Sequence, residues 1–219
     1  TEVMKKYNHF IVASAVKNVR STSQVIDFGA GIGTLSLIFL NKFRIRTKCV
    51  EVDAHNKKLL LNRNIKSYDR IEQVPKKVSL IFSSNVLEHI EDDISTLLAL
   101  KKKLKKNGQI YLYLPAKMSL WSSMDEKVGH YRRYELSEIR KKCEQVGLKV
   151  ELLHYADSIG FFASFLMKLI GYNSENGIGS VASMKFYDKW LFPVSKFLDL
   201  IGLKFLIGKN LIIIARKTE

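Results

Sequence analysis

The stretch V-I-D-F-G-A-G-I-G-T-L, Val25 to Leu35, decides the fold. A short apolar run leads into Gly29, Gly31 and Gly33, and from Leu35 to Leu40 the apolar spacing is that of a buried helix. A strand, a tight glycine turn and a helix in this order can hold an anion. The glycines let backbone approach a ligand, and the N–H groups opening the helix suit either a pyrophosphate or the carboxylate of an amino acid. A dinucleotide fingerprint, G-x-G-x-x-G, needs glycine at position 34. This chain has Thr34 there and Gly33 before it, which disfavours a nicotinamide cofactor.

Outward from this turn, strand-like and helix-like runs alternate. Residues 4 to 19 read as an amphipathic leading helix before a Ser-Thr-Ser break, and strands are predicted at Thr47–Val52, near Tyr68 and at Val78–Phe82. A helix follows with Glu91, Asp92 and Asp93 early and Lys101, Lys102, Lys103, Lys105 and Lys106 late, its inward face carried by Leu97, Leu98 and Leu104. Further strands fit Gln109–Leu114, Leu148–Tyr155 and Asn210–Ala215, with a helix over Ser137–Val146 closed by Gly147. The alternation predicts an α/β chain: a Rossmann-like, doubly wound, seven-stranded sheet, mostly parallel, with helices on both faces. The sixth and last strands are separated by roughly 50 residues, far beyond an ordinary connection. The chain, 1–219, is therefore read as one domain with a helical apolar insertion at about 157–208.

With Asp27 ahead of its glycines, the turn resembles the first motif of class I methyltransferases that use S-adenosylmethionine (SAM). C-V-E-V-D, Cys49 to Asp53, places Glu51 about 20 residues downstream, where ribose hydroxyls expect an acidic acceptor. S-S-N-V-L-E-H-I-E-D-D, Ser83 to Asp93, resembles the N-V-L-E-H-I motif of a large SAM-dependent family. The Leu114-Pro115-Ala116 turn followed by G-H-Y-R-R-Y is similar to one bacterial and archaeal subfamily of methyltransferase-like proteins. The resemblance implies SAM as cofactor, S-adenosylhomocysteine as product and a reversed final strand. It implies a cofactor site of Asp27, Gly29, Ala30, Gly31 and Gly33, then Glu51 with Val52 beside it, and Asn85, Val86 and Leu87 along the methionine end. Asp53 is left to cap the next helix.

The segment Leu114 to Tyr134 begins at the carboxyl edge of the sheet, where an acceptor should meet the methyl group. Trp121, Tyr131, Arg132, Arg133 and Tyr134 offer stacking surfaces and guanidinium forks for an acceptor. His130 or His89, the latter beside Glu88, is a general-base candidate, since histidine titrates near neutrality. The structural alternative makes His130 a helix-entry residue and pairs the arginines with Asp125 or Glu135. Methyltransferases that act on exocyclic base amines carry an Asn or Asp, two prolines and an aromatic after the fourth strand to clamp a flipped base. This chain does not carry that clamp, since the two prolines and the aromatic are missing, so nucleic acid is disfavoured.

Lys and Arg number 36 against 21 Asp and Glu, a formal charge of +15, which attracts nucleic acid, an acidic membrane leaflet or a phosphorylated substrate alike. Hydrophobic residues at 47% and charged residues at 26% are those of an ordinary globular protein. Cys49 and Cys143 have no metal-ligand spacing, no metal site is expected, and reduced thiols fit a cytoplasmic protein. The runs Ile159–Gly171 and Trp190–Gly208 are too short or too charged to span a membrane, and suit core packing, a homodimer contact or peripheral contact at the inner face of a membrane. Together these point to methyl transfer onto an oxygen or nitrogen of a small-molecule, glycan or lipid-linked acceptor. The rivals are an RNA methyltransferase, a dinucleotide-binding reductase and a SAM-fold binding subunit without turnover.

Overall fold

A computed structural model describes residues 2–17, 24–170 and 180–218. The end of the leading helix expected at residues 18 and 19, the Ser-Thr-Ser break and Gly171 lie outside the described residues. In chain order the strands are β1 (Val25–Phe28), β2 (Thr47–Val50), β3 (Ser67–Tyr68), β4 (Val78–Ser84), β5 (Leu104–Pro115), β6 (Lys149–Ala156) and β7 (Asn210–Arg216). They form one seven-stranded sheet in the order β3-β2-β1-β4-β5-β7-β6. Neighbours from β3 to β5 are parallel, while β7 slots antiparallel between β5 and β6. The chain changes direction along the sheet between β1 and β4, which opens the crevice where such sheets take ligands.

The helices are α1 (Lys5–Val16), α2 (Thr34–Phe43), α3 (Ala54–Asn62), α4 (Asp93–Lys103), the short α5 (Ser123–Lys127) and α6 (Leu136–Gln145). Strand alternation sorts the core into two layers. Ile26, Ile81, Ile110 and Leu112 point toward the layer that holds Leu97 and Leu100 of α4 and Ile139 of α6. Val25, Leu80, Phe82, Tyr111 and Tyr113 point the other way, onto Ile11, Val12 and Phe39 of α1 and α2. Phe82 meets Phe39 edge-on at 5.1 Å and stacks on Tyr111 at 5.5 Å between ring centres. Each such side chain contributes roughly 1.5–3 kcal/mol by leaving water.

Two details of the lysine-rich helix differ from expectation. It ends at Lys103, so Lys105 and Lys106 lie on β5, which starts at Leu104 instead of Gln109. The register explains this: Val78 pairs with Leu104 and Leu80 with Gln109, so a bulge on β5 absorbs the extra residues, and Asn107 takes a left-handed φ of 61° within it. Leu98 is exposed, and Leu100 takes the inward place beside Leu97 and Leu104.

The described residues of the apolar insertion are helical: α7 (Ser158–Ile170), α8 (Val181–Phe186), a wide turn over Tyr187–Leu191, α9 (Phe192–Leu200) and a short turn at Leu203–Phe205. A buried polar cluster that sequence reasoning missed fastens it to the sheet. Asp157, just past β6, accepts hydrogen bonds through Oδ1 from Ser195 Oγ at 2.9 Å, from the Gly160 amide and from the Tyr187 hydroxyl. Asp199 of α9 in turn accepts the Asp157 amide at 2.8 Å. From α1, the Tyr7 hydroxyl donates to Asn210 at 3.0 Å and receives that of Tyr113 at 2.8 Å. The only local sign of the cluster is an aspartate where a strand gives way to an apolar run.

Candidate active site

The glycine turn takes the conformation its composition demands. Gly29, Gly31 and Gly33 have φ of 75°, 54° and 83°, a region that side chains with a Cβ avoid. The Gly29 and Ala30 amides donate to the Val50 carbonyl at 2.9 and 3.1 Å, tying the turn to the tip of β2. A Cβ at Gly29 would sit 2.2 Å from Val86 Cγ2, and one at Gly33 would meet Leu60 at 2.7 Å, so both glycines serve close packing. At Gly31 a Cβ would meet nothing within 4 Å, and this is where the turn faces open space.

Glu51 joins this turn to the next strand. Its Oε2 accepts the Gly31 amide at 2.6 Å and its Oε1 accepts the Asp53 amide at 2.9 Å. Each oxygen keeps a further lone pair for a ligand hydroxyl. Asp53 caps α3 as expected, accepting the Asn56 amide at 2.8 Å. Val52 stands exposed at the same edge. Asp27 is placed differently: it lies 1% exposed beneath the turn, where Ser36 Oγ donates to it at 2.6 Å, and burial pushes its carboxyl up to about 6. Its reach is to the underside of the turn, not to the open face.

After β4, Asn85 sits exposed at a φ of 52° with its amide bonded to the Tyr113 carbonyl, and Val86 closes against Gly29. Leu87, expected in the cofactor wall, instead packs its side chain into the core at 1% exposure, because the short helical turn Leu87–His89 rotates it inward. Glu88 is fully buried, neither carboxylate oxygen has a hydrogen-bond partner, and burial pushes the group up to about 8 against the pull of Arg133. His89 is exposed, its Nδ1 3.3 Å from the Gly129 carbonyl.

The segment after β5 folds back onto this corner. Ala116 and Tyr134 form a parallel bridge, with the Tyr134 amide on the Pro115 carbonyl at 2.9 Å, and the Tyr131 amide reaches the Glu88 carbonyl at 2.8 Å. Within the loop, Ser122 and Asp125 cap α5 reciprocally, which leaves Asp125 Oδ1 pointing inward to His130 Nδ1 and Arg133 Nε, each at 2.8 Å. Although burial opposes it, these two donors hold the Asp125 carboxyl down at about 2. The Asp125 carboxylate thus fixes the His130 ring through its Nδ1 edge and turns Nε2 away from itself. That Nε2 lies 3.9 Å from Glu88 Oε1, and the His130 and His89 rings meet edge to face at 4.6 Å.

The aromatic and basic residues of G-H-Y-R-R-Y divide into two groups. Tyr131 is 54% exposed, with the Arg132 guanidinium 5.9 Å from its ring centre. Arg132 pairs with Asp93 at 2.7 Å, not with Glu135. Trp121 is half-buried, its indole N–H 3.3 Å from Glu126. Tyr134 and Arg133 do not line an acceptor surface as expected. Tyr134 is fully buried, donating to Asp93 at 2.9 Å and to the Leu87 carbonyl, and Arg133 is buried against Asp125. Both are taken inward by the return of the loop to the edge of β5.

A family model described as a methyltransferase domain matches residues 4–153. No curated protein matches the chain in sequence. Among solved structures, the chain is similar to a SAM-dependent methyltransferase from Archaeoglobus fulgidus, at 16% identity and a TM-score of 0.60 over 99% of this chain and 95% of that one. It is similar to phosphoethanolamine N-methyltransferase 2 of Haemonchus contortus in complex with SAM, at 17% identity and a TM-score of 0.65 over 97% of this chain and 52% of that one. It also resembles magnesium protoporphyrin IX methyltransferase from Synechocystis with bound S-adenosylhomocysteine, at 16% identity and a TM-score of 0.55 over 68% and 76% of the two chains. The glycine turn coupled to Glu51, the sheet with its reversed β7 and the matching family model lead to one conclusion: the chain belongs to the methyltransferase-domain family and has the class I, SAM-dependent methyltransferase fold.

Proposed function

We propose that this protein transfers the methyl group of SAM to an oxygen or nitrogen of a small-molecule, glycan or lipid-linked acceptor. The observation that carries the reading is the Gly31 amide bonded to Glu51 beside a backbone position that opens to free space. Gly29, Ala30, Gly31 and Gly33 would hold the amino-acid end of the cofactor, Glu51 and Val52 the ribose, and Asn85 and Val86 the methionine side. Asp27 would act from beneath, by holding the turn in shape through Ser36.

The sulfonium of SAM supplies an already electrophilic methyl, so the protein has to align the acceptor, exclude water and receive a proton. Tyr131, Arg132 and Trp121 are the reachable groups for orienting an acceptor. His130 Nε2, with Nδ1 held by Asp125, or His89 beside it, would take the proton.

Peripheral contact with the inner face of a membrane is part of the proposal. No helix among the described residues is long and apolar enough to cross a membrane. Most exposed large apolar side chains nevertheless lie on the insertion, such as Phe162, Leu166, Phe186 and Leu200, with Lys185, Lys189, Lys196 and Lys204 among them. Apolar side chains interleaved with lysine stems suit an anionic lipid surface. A homodimer would be the other way to cover this face.

Calorimetric titration with SAM and NADPH, on the wild type and on Glu51→Ala, tests the cofactor assignment. SAM binding that the substitution weakens is the expected result. NADPH binding in its place would overturn it.

A further inference from the structure

We propose that Glu88, His89 and His130 form a binding site for one divalent cation of the zinc, cobalt or nickel type, with Asp125 as the residue that orients His130. One ligand atom from each of the three residues lies within 4.8 Å of the others. Ligands about 2.1 Å from a common ion stand roughly 3–3.5 Å apart, so closure asks for about an ångström of movement. His89, exposed and held at its ring through a long 3.3 Å contact with the Gly129 carbonyl, can supply it.

Three further features separate this corner from an ordinary polar cluster. Glu88 is 0% exposed, yet both of its carboxylate oxygens are without a hydrogen-bond partner, and a buried carboxylate of that kind needs a compensating cation or proton. His130 has the arrangement of a metal-bound imidazole: the Asp125 carboxylate lies 2.8 Å from its Nδ1, and its Nε2 faces Glu88 at 3.9 Å. His89 is held in the same sense, its Nδ1 on a backbone carbonyl.

Two imidazoles and one carboxylate form a set of intermediate softness, suited to zinc and its neighbours and poorly suited to magnesium or calcium, which prefer oxygen alone. Three protein ligands leave at least one coordination position open. The Arg133 guanidinium, paired with Asp125 at 2.8 Å, opposes the cation, so binding weaker than that of a closed structural site is expected. With the cation bound, Glu88, His89 and His130 would hold it through one atom each, and the ion would supply Lewis-acid chemistry at its open position.

The test is Zn2+ uptake by untagged, chelator-treated protein, measured by equilibrium dialysis and by competition with a chromophoric chelator. One Zn2+ per chain is expected. Binding should weaken at least tenfold in His89→Ala and His130→Ala and by 10- to 100-fold in Asp125→Asn. Glu88→Gln should weaken it similarly, and if that variant melts early, exposed His89 decides the matter. Uptake below one ion per chain, or uptake unchanged in both histidine variants, overturns the site. SAM titration of the metal-free protein is scored separately. SAM binding without Zn2+ uptake removes only the cation site, and uptake without SAM binding removes only the methyl-transfer reading.

Discussion

Glu51 Oε2 accepts the Gly31 amide at 2.6 Å, so the carboxylate that would hold the ribose is also what fixes the glycine turn that would hold the amino acid. A hydrogen bond to a charged group contributes about 1.5–3 kcal/mol. Glu51→Gln is expected to lower SAM affinity by about 10- to 100-fold, while the melting temperature moves by only a few degrees. Calorimetric titration beside thermal melts separates the two effects, and a variant with unaltered SAM affinity would refute this role.

The glycines of the turn should respond differently to the same substitution. Gly29→Ala pays for a left-handed φ and drives a Cβ to 2.2 Å from Val86, and a loss of stability of about 2 kcal/mol or more is expected. Gly31→Ala carries about 1–2 kcal/mol of backbone strain without a clash, yet its methyl points into the space assigned to the cofactor. Urea unfolding should rank Gly29→Ala as the less stable variant, and SAM titration should rank Gly31→Ala as the greater loss relative to its stability. Equal effects in both assays would count against the proposed cradle.

Asp27 sets a pH dependence of stability. Its carboxyl is pushed up to about 6 by burial, so the native state binds that proton more tightly than the unfolded chain does. The resulting contribution is complete below about pH 4 and disappears as pH rises through 6. Asp27→Asn removes the ionisation, so the variant's stability relative to wild type should rise by up to about 3 kcal/mol between pH 4 and pH 8. Urea titrations at both pH values measure it, and a difference that stays flat or falls would contradict the assignment.

Tyr131 and Tyr134 look interchangeable in the sequence and should behave in opposite ways. Tyr131→Ala removes an exposed ring and should change stability by less than about 0.5 kcal/mol. Once an acceptor is identified, its apparent KM should rise. Tyr134→Phe removes a buried hydroxyl from Asp93 and the Leu87 carbonyl, and should cost about 1–3 kcal/mol in thermal or urea unfolding.

The insertion should bind lipid. Flotation with phosphatidylglycerol vesicles is expected to carry the protein along, phosphatidylcholine vesicles much less so, and 0.5 M salt should weaken the association roughly to the extent that it screens the lysines. Phe197→Glu with Leu200→Glu, at positions 61% and 77% exposed, should abolish flotation without unfolding the domain. If those substitutions change the oligomeric state and leave vesicle binding alone, the face belongs to a second copy of the chain.

The amino-acid sequence determined the elements whose causes are local. Glycines at 29, 31 and 33 allow the left-handed turn that β1 and α2 share, Asp53 and Asp92 cap the helices that follow them, and period-two alternation in β4 and β5 divides Leu80 and Phe82 from Ile81. Tertiary structure alone decided which side chains of Leu114 to Tyr134 are reachable. Burial depends on where a loop returns, and the bridge between Ala116 and Tyr134 turns Arg133 and Tyr134 inward while leaving Tyr131 outside. The same return brings His130 to Glu88 and His89, a neighbourhood that no spacing rule anticipates, because the ligand atoms converge through folding and not along the chain.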